Sequence, residues 1–191
     1  MKQTLPTFAQ VKAQYADQYI PYQTRLGTQE WKIKRDAMVE RDEEECTKCG
    51  CRPTDNVWLG GKMHYLLYVP YDPNEVVEIN GFTYTGKELG YEIHQLNAAV
   101  VLHVHHLYYI TSKNPWEYEN DALVTLCSDC HSEVHRTEII PVYKVENGQR
   151  ERITGVTCSR CSGAGYFPQY KSVENGVCFQ CRGSRYTNLT L

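Results

Sequence analysis

Eight of the nine cysteines fall into four pairs of the form Cys-x-x-Cys: Cys46/Cys49, Cys127/Cys130, Cys158/Cys161 and Cys178/Cys181. A pair at this spacing bends two sulfurs toward one point, and a closed tetrahedral zinc site takes four thiolates, so four pairs make two structural zinc sites. Taken in chain order, Cys46, Cys49, Cys127 and Cys130 form the first, and Cys158, Cys161, Cys178 and Cys181 the second. The first assignment constrains the fold strongly, because it brings residues 46–49 against residues 127–130. Cys51, one residue after "CTKCG", reads as a small apolar side chain.

Cysteine pairs in a secreted chain would suggest disulfides instead. The opening segment, "MKQTLPTFAQVKAQYADQYI", mixes charge with polar residues and has no apolar stretch of signal-peptide length, and no later segment reaches the length of a membrane span. The expectation is a cytoplasmic protein in a reducing compartment, with no membrane partner. With 191 residues, 41% hydrophobic and 12% aromatic, the chain can bury one main core and add a small module.

Residues 28–44, "TQEWKIKRDAMVERDEE", predict an amphipathic helix with Thr28 as N-cap and Trp31, Ile33, Ala37, Met38 and Val39 near a 3.6-residue period. Residues 52–100 change to short β-rich pieces with a hairpin turn at Asn80-Gly81. Nothing in that insertion suggests chemistry, and His64 and His94 read as structural. "AAVVLHV" predicts a strand ending at His105-His106. The loop that follows contains "PWEY", expected as a core plug. "ALVTLCSDCHSEVH" then leads through the second knuckle into a short helix from Cys130. After Pro141 a second hairpin turns at Asn147-Gly148, and the last stretch repeats CxxCxG, whose glycines permit the tight backbone around a zinc knuckle.

Three of the seven histidines crowd into "HVHHLYY", residues 103–109. His131 and His135 stand four apart on the predicted helix and so share a face. His105, His131 and His135 can supply three nitrogen ligands to a cation, leaving positions open for water and a phosphate oxygen. His106 would then lie close to the cation without binding it, and an imidazole takes a proton from water readily near neutral pH. His103, on the same strand face as His105, is expected as a surface residue, with a neighbour that supports the metal ligands as the alternative. The alternative for the whole cluster is a further structural zinc site with no open position.

"WKIKRDAMVERDEEECTKCG", "LHVHHLYY", "PWEYENDALVTLC" and "CSDCHSEVH" together resemble the HNH endonucleases over roughly residues 28–136. The resemblance implies an α+β protein built on a ββα-metal (HNH) nuclease core with a four-cysteine structural zinc. It implies His105 and His131 as ligands of one catalytic divalent metal (Mg²⁺, Mn²⁺, Ni²⁺ or Zn²⁺), His135 as an added ligand, and His106 as general base. The position of the family's asparagine falls on Ala122; Asn120 is the nearest residue for that role, and either Asn120 or a backbone carbonyl could fix the tautomer of His106. The implied reaction is hydrolysis of DNA phosphodiester bonds, with double-stranded DNA as partner and a larger complex or homodimer as a further possibility. A ribonuclease would use the same site, and a zinc-scaffolded binding module without catalysis is the alternative. "CSRCSGAGYF" with "CFQCRGSRY" resembles the cysteine repeats of DnaJ-type chaperones, which carries over zinc binding alone.

These readings divide the chain into an N-terminal extension (1–27), a nuclease domain (28–141) carrying the insertion, and a C-terminal zinc-binding module (142–191). The formal net charge is -3, yet residues 142–191 hold seven basic residues against three acidic ones. Arg160, Lys171, Arg182 and Arg185 are the candidates there for contact with nucleic-acid phosphates, against ordinary surface charge as the alternative.

Overall fold

The computed structural model describes residues 4–16, 18–153, 155–165, 167, 170, 178–181 and 185–187. The fold is mixed α+β with small sheets and two four-cysteine groups. Helices α1 (Phe8–Tyr15) and α2 (Tyr22–Arg25) precede α3 (Gln29–Arg41). The insertion contributes β1 (Asp55–Leu59), β2 (Lys62–Pro70), β3 (Val76–Ile79), β4 (Phe82–Thr85), α4 (Gly86–Leu89) and β5 (Tyr91–Leu96). The central pair is β6 (Leu102–His106) and β8 (Leu123–Cys127), separated by the two-residue β7 (Tyr109–Ile110) and a 3-10 turn at Asn120–Ala122. Helix α5 (Ser128–Thr137) and the hairpin β9 (Val142–Glu146)–β10 (Gln149–Arg152) follow.

The antiparallel register of β6 on β8 pairs His105 with Val124 and His106 with Leu123. Side chains alternate along a strand, so Val104, His106, Leu123 and Thr125 share one face, and His103, His105, Val124 and Leu126 the other. Helix α3 covers the first face. Its Trp31 and Met38 join Val104, Ile110, Tyr118, Ala122 and Leu123 in one buried cluster. Helix α5 covers the second, and Val134, Leu126, Leu102, Cys46, Cys127 and Ile140 form a second buried cluster at the end of the pair.

Polar contacts fix α3 on the pair. The Arg35 guanidinium donates to the Leu102 carbonyl at 2.8 Å and that of Arg41 to the Leu123 carbonyl at 2.8 Å, while Asp42 accepts from the Thr125 backbone N–H at 2.9 Å. Thr28 caps the helix as expected, accepting from the Trp31 N–H at 3.5 Å. The predicted apolar face is narrower than its period suggested: Trp31 and Met38 are buried, but Ile33 is 70% exposed and Ala37 also faces outward. Two strands present a surface too small to cover a full helical stripe, so one row of side chains does the packing.

The N-terminal extension is integrated into the core. The Glu30 carboxylate accepts from the Phe8 N–H at 2.9 Å, and the Phe8 ring meets Trp116 edge-on at 4.9 Å. "PWEY" plugs the loop as expected, with Pro115 and Tyr118 buried and the Tyr118 hydroxyl accepting from the Ile110 N–H at 2.7 Å. Both hairpin turns fall where Asn-Gly occurs, with positive φ at Asn80, Gly81, Asn147 and Gly148. The insertion forms a three-stranded sheet, β1-β2-β5, and the hairpin β3-β4. Many of its large apolar side chains are exposed, Trp58, Phe82 and Tyr91 among them, and His94 pairs with Glu92 at the surface.

Met38 joins α3 to the strand pair and is 2% exposed. Met38→Ala should destabilise the zinc-loaded protein by about 2–5 kcal/mol, the usual cost of such a core truncation. Urea unfolding at constant zinc reads this as a lowered midpoint, and an unchanged midpoint would remove Met38 from the cooperative core.

Candidate metal centre

The first thiolate group comes from three elements: the turn after α3, the end of β8 and the start of α5. The Cys46 N–H donates to the Cys51 carbonyl at 2.9 Å and the Thr47 N–H to the Thr125 carbonyl at 2.9 Å, which fastens the knuckle to the central pair. Cys49 Sγ and Cys127 Sγ stand 3.8 Å apart. In the C-terminal module the Cys158–Cys178 and Cys161–Cys181 sulfur separations are 3.7 and 3.6 Å. Zinc–sulfur bonds of about 2.3 Å give a tetrahedral edge of about 3.8 Å, whereas a disulfide needs about 2.05 Å. Both groups therefore fit structural zinc, in the pairing the sequence implied. Burial alone would raise the Cys46 thiol, but backbone hydrogen bonds from Cys127, Cys49 and Lys48 bring it down to about 6, toward the thiolate that zinc binds. Glycine serves the second group directly: Gly163 and Gly165 take positive φ, and the Gly165 N–H donates to Cys161 Sγ at 3.3 Å.

The third group is nitrogenous. One ring nitrogen each from His105, His131 and His135 lies within 4.8 Å of the other two. Strand β6 delivers His105, and one face of α5 delivers the other pair. His131 Nε2 and His135 Nε2 are 3.2 Å apart, close to the tetrahedral edge of about 3.3 Å that metal–nitrogen bonds of about 2.0–2.1 Å produce. His105 is 2% exposed, and among the described residues neither of its ring nitrogens has a hydrogen-bond partner. Two orphaned buried nitrogens are costly unless something binds them, and a cation is the partner that the converging rings suit. Burial, followed by the neighbouring imidazoles, pushes His105 and His131 down to about 3, and burial, then His105 and Arg185, does the same for His135. All three are neutral near pH 7, as ligands must be.

His106 projects to the opposite face of β6. Its ring stacks near-parallel to Trp31 at 5.1 Å and to Tyr109 at 5.3 Å, and Tyr118 meets it edge-on at 4.7 Å. Nε2 lies 3.0 Å from the Pro115 carbonyl oxygen and 3.2 Å from the Tyr22 hydroxyl. A carbonyl only accepts, so the proton sits on Nε2 and the lone pair on Nδ1. Nδ1 takes part in no hydrogen bond among the described residues. Burial lowers the imidazole to about 4 even though the bond to Pro115 pulls it upward.

His106 and the three convergent histidines line one cavity of about 110 Å³, together with Tyr22, Trp31, Tyr109 and Arg185. That space is large enough to admit water. The vicinal histidines thus serve one cavity from two faces of a strand, and it runs past β6 instead of lying on one side of the sheet.

Several candidates from the sequence sit elsewhere or differently. The Asn120 side chain accepts from Lys34 Nζ at 2.6 Å, and it is the Pro115 carbonyl that orients His106. His103 is half-buried and not a surface residue: it stacks on His131 at 5.1 Å, and its Nε2 lies 3.1 Å from Ser128 Oγ. The short helix that carries His131 brings its ring against the strand face that His103 shares with His105. Arg160 is exposed, with its guanidinium over Phe167 and Phe179, and Arg185 reaches the cavity. Lys171 and Arg182 lie outside the described residues. Tyr22, Trp31 and Pro115 were missed as parts of the site, since a tyrosine 84 residues from the histidine it touches leaves no local pattern.

Searches among protein-family models, curated proteins and solved structures found no match to this chain. No helix among the described residues is long and apolar enough to cross a membrane.

The histidine group should hold a third transition-metal ion beyond the two thiolate sites. Equilibrium dialysis with metal analysis should give three ions per wild-type chain and two for His131→Asn, with the cysteine-bound zinc unchanged. Two ions in both proteins would remove the nitrogenous site.

Proposed function

We propose that this chain is a metal-dependent phosphodiester hydrolase, an endonuclease acting on DNA. The observation that carries the reading is His106: one nitrogen is committed to a backbone carbonyl, and the other is uncommitted in a cavity shared with three convergent imidazoles. A purely structural zinc site would have no use for such a neighbour. The order strand, loop, strand, helix, with a vicinal histidine pair ending the first strand and His131 and His135 on the helix, supports the resemblance to HNH endonucleases.

His106 Nδ1 takes a proton from a water in the cavity as that water's oxygen attacks phosphorus, in line with the departing 3'-oxygen. The new P–O bond forms, the P–O3' bond breaks, and solvent returns a proton to the leaving oxygen. The Pro115 carbonyl holds the imidazole in the required tautomer and faces the Nε2–H as positive charge develops on the ring. Trp31 and Tyr109 keep the ring in plane between them. His105, His131 and His135 would hold one divalent cation, which stabilises the negative charge that grows on the phosphoryl oxygens and the leaving group. Three neutral imidazoles without a carboxylate favour Zn²⁺, Ni²⁺ or Mn²⁺ over Mg²⁺.

His106→Ala should lower the rate of plasmid nicking by about 10²–10⁴-fold, the range attributed to a general base, while metal content stays at wild-type levels. Equal rates in the two proteins would cancel the assignment of the base. In parallel assays with Mn²⁺, labelled duplex DNA should be cut faster than RNA of the same sequence. The reverse order would make the protein a ribonuclease with the same machinery.

A further inference from the structure

Arg185 belongs to the C-terminal module by its backbone and to the histidine cavity by its side chain. Its carbonyl accepts from the Cys158 N–H at 3.0 Å, and Tyr186 beside it bridges to Thr157, so the backbone is fastened to the first knuckle of the second thiolate group. Its guanidinium donates to the Gly163 carbonyl at 3.4 Å and lies 3.3 Å from the centre of the Tyr109 ring. From there it lines the cavity that holds His105, His106, His131 and His135.

Two further observations bear on this arginine. It adopts φ +73°, a left-handed conformation that glycine or asparagine takes more readily. Strain of this kind in a residue lining a cavity points to a side chain whose job outweighs its backbone cost. The second is charge. Among the described residues Arg185 has no carboxylate partner, and no aspartate or glutamate lines the cavity. A guanidinium beside a site for a divalent cation, with nothing negative between them, is balanced only when an anion enters. A phosphodiester offers two non-bridging oxygens, one for the cation and one for the guanidinium fork.

We propose, resting on the hydrolytic reading above, that the C-terminal thiolate module is a working part of the active site and delivers Arg185 as the clamp for the scissile phosphate. The site is then composite: one zinc group sets the ligands and the base, and the other sets the anion-holding residue. Arg185 thereby has a task different from that of Arg160, which sits over two aromatic rings of the module.

The test uses the full chain with cobalt(II) in the histidine site and inorganic phosphate as the probe, followed by visible absorption. Arg185→Gly removes the side chain with its contacts to Gly163 and Tyr109 while relieving the left-handed strain, and Arg185→Lys keeps the charge but loses the fork. The expected result for Arg185→Gly is an unchanged or higher thermal midpoint and phosphate binding weakened by about 10–100-fold. Its kcat/KM on plasmid DNA should fall by a comparable factor, and Arg185→Lys should recover part of both losses. Phosphate affinity for Arg185→Gly within about threefold of wild type would overturn the clamp. So would a large drop in thermal midpoint at unchanged phosphate affinity, which would make Arg185 a structural residue. If wild type cleaves DNA and Arg185→Gly cleaves it equally well, the clamp falls and the hydrolytic reading stands. If wild type neither cleaves DNA nor responds to phosphate, both fall.

Discussion

The convergence of Cys46, Cys49, Cys127 and Cys130 holds together what the rest of this structure needs. Cys49 and Cys127 are 78 residues apart in sequence and 3.8 Å apart at sulfur, with the whole insertion and the central strands between them. Closing a flexible loop of that length costs roughly 4 kcal/mol of chain entropy, while structural zinc binding supplies about 10–16 kcal/mol. Zinc bound at this group would outweigh that cost and hold the end of α3, the end of β8 and the start of α5 at one point. Because α5 begins at that point, the rotation that presents His131 and His135 to His105 is determined within the first turn of the helix.

The strand pair is small, and that gives it its chemical use. With only β8 on one edge of β6, a residue pair such as His105-His106 can send one ring to α5 and the next to α3 and still reach a single cavity. The two environments divide the labour. Toward α5, imidazoles face one another, with His105 lacking any hydrogen-bond partner among the described residues. Toward α3, aromatic rings and a backbone carbonyl hold one imidazole in a single tautomer. Burial keeps every one of these histidines neutral near pH 7.

The two ends of the chain converge on the same cavity. Tyr22 comes from the segment before α3 and Arg185 from the segment after β10, and neither lies in the stretch that contains the ligands. From the N-terminal segment, the Tyr22 hydroxyl reaches the His106 ring. The insertion, by contrast, stands apart from this cavity and adds none of its lining residues.

The sequence by itself determined the candidate metal ligands and the local turns. Cysteine spacing specified two four-sulfur groups and their pairing, Asn-Gly specified two hairpins, and the i, i+4 spacing of His131 and His135 specified a two-nitrogen face. Each knuckle, each turn and the two-nitrogen face follow short-range rules satisfied by neighbours along the chain, whereas the first four-sulfur group joins residues 78 positions apart. Tertiary structure alone decided that His103 stacks on His131, that Ile33 faces outward, that Pro115 and not Asn120 orients His106, and that Arg185 enters the cavity. Those outcomes depend on which faces of β6 the two helices cover and on how the second thiolate module returns to Tyr109. Such contacts join residues tens of positions apart through packing, and no periodicity along the chain encodes them.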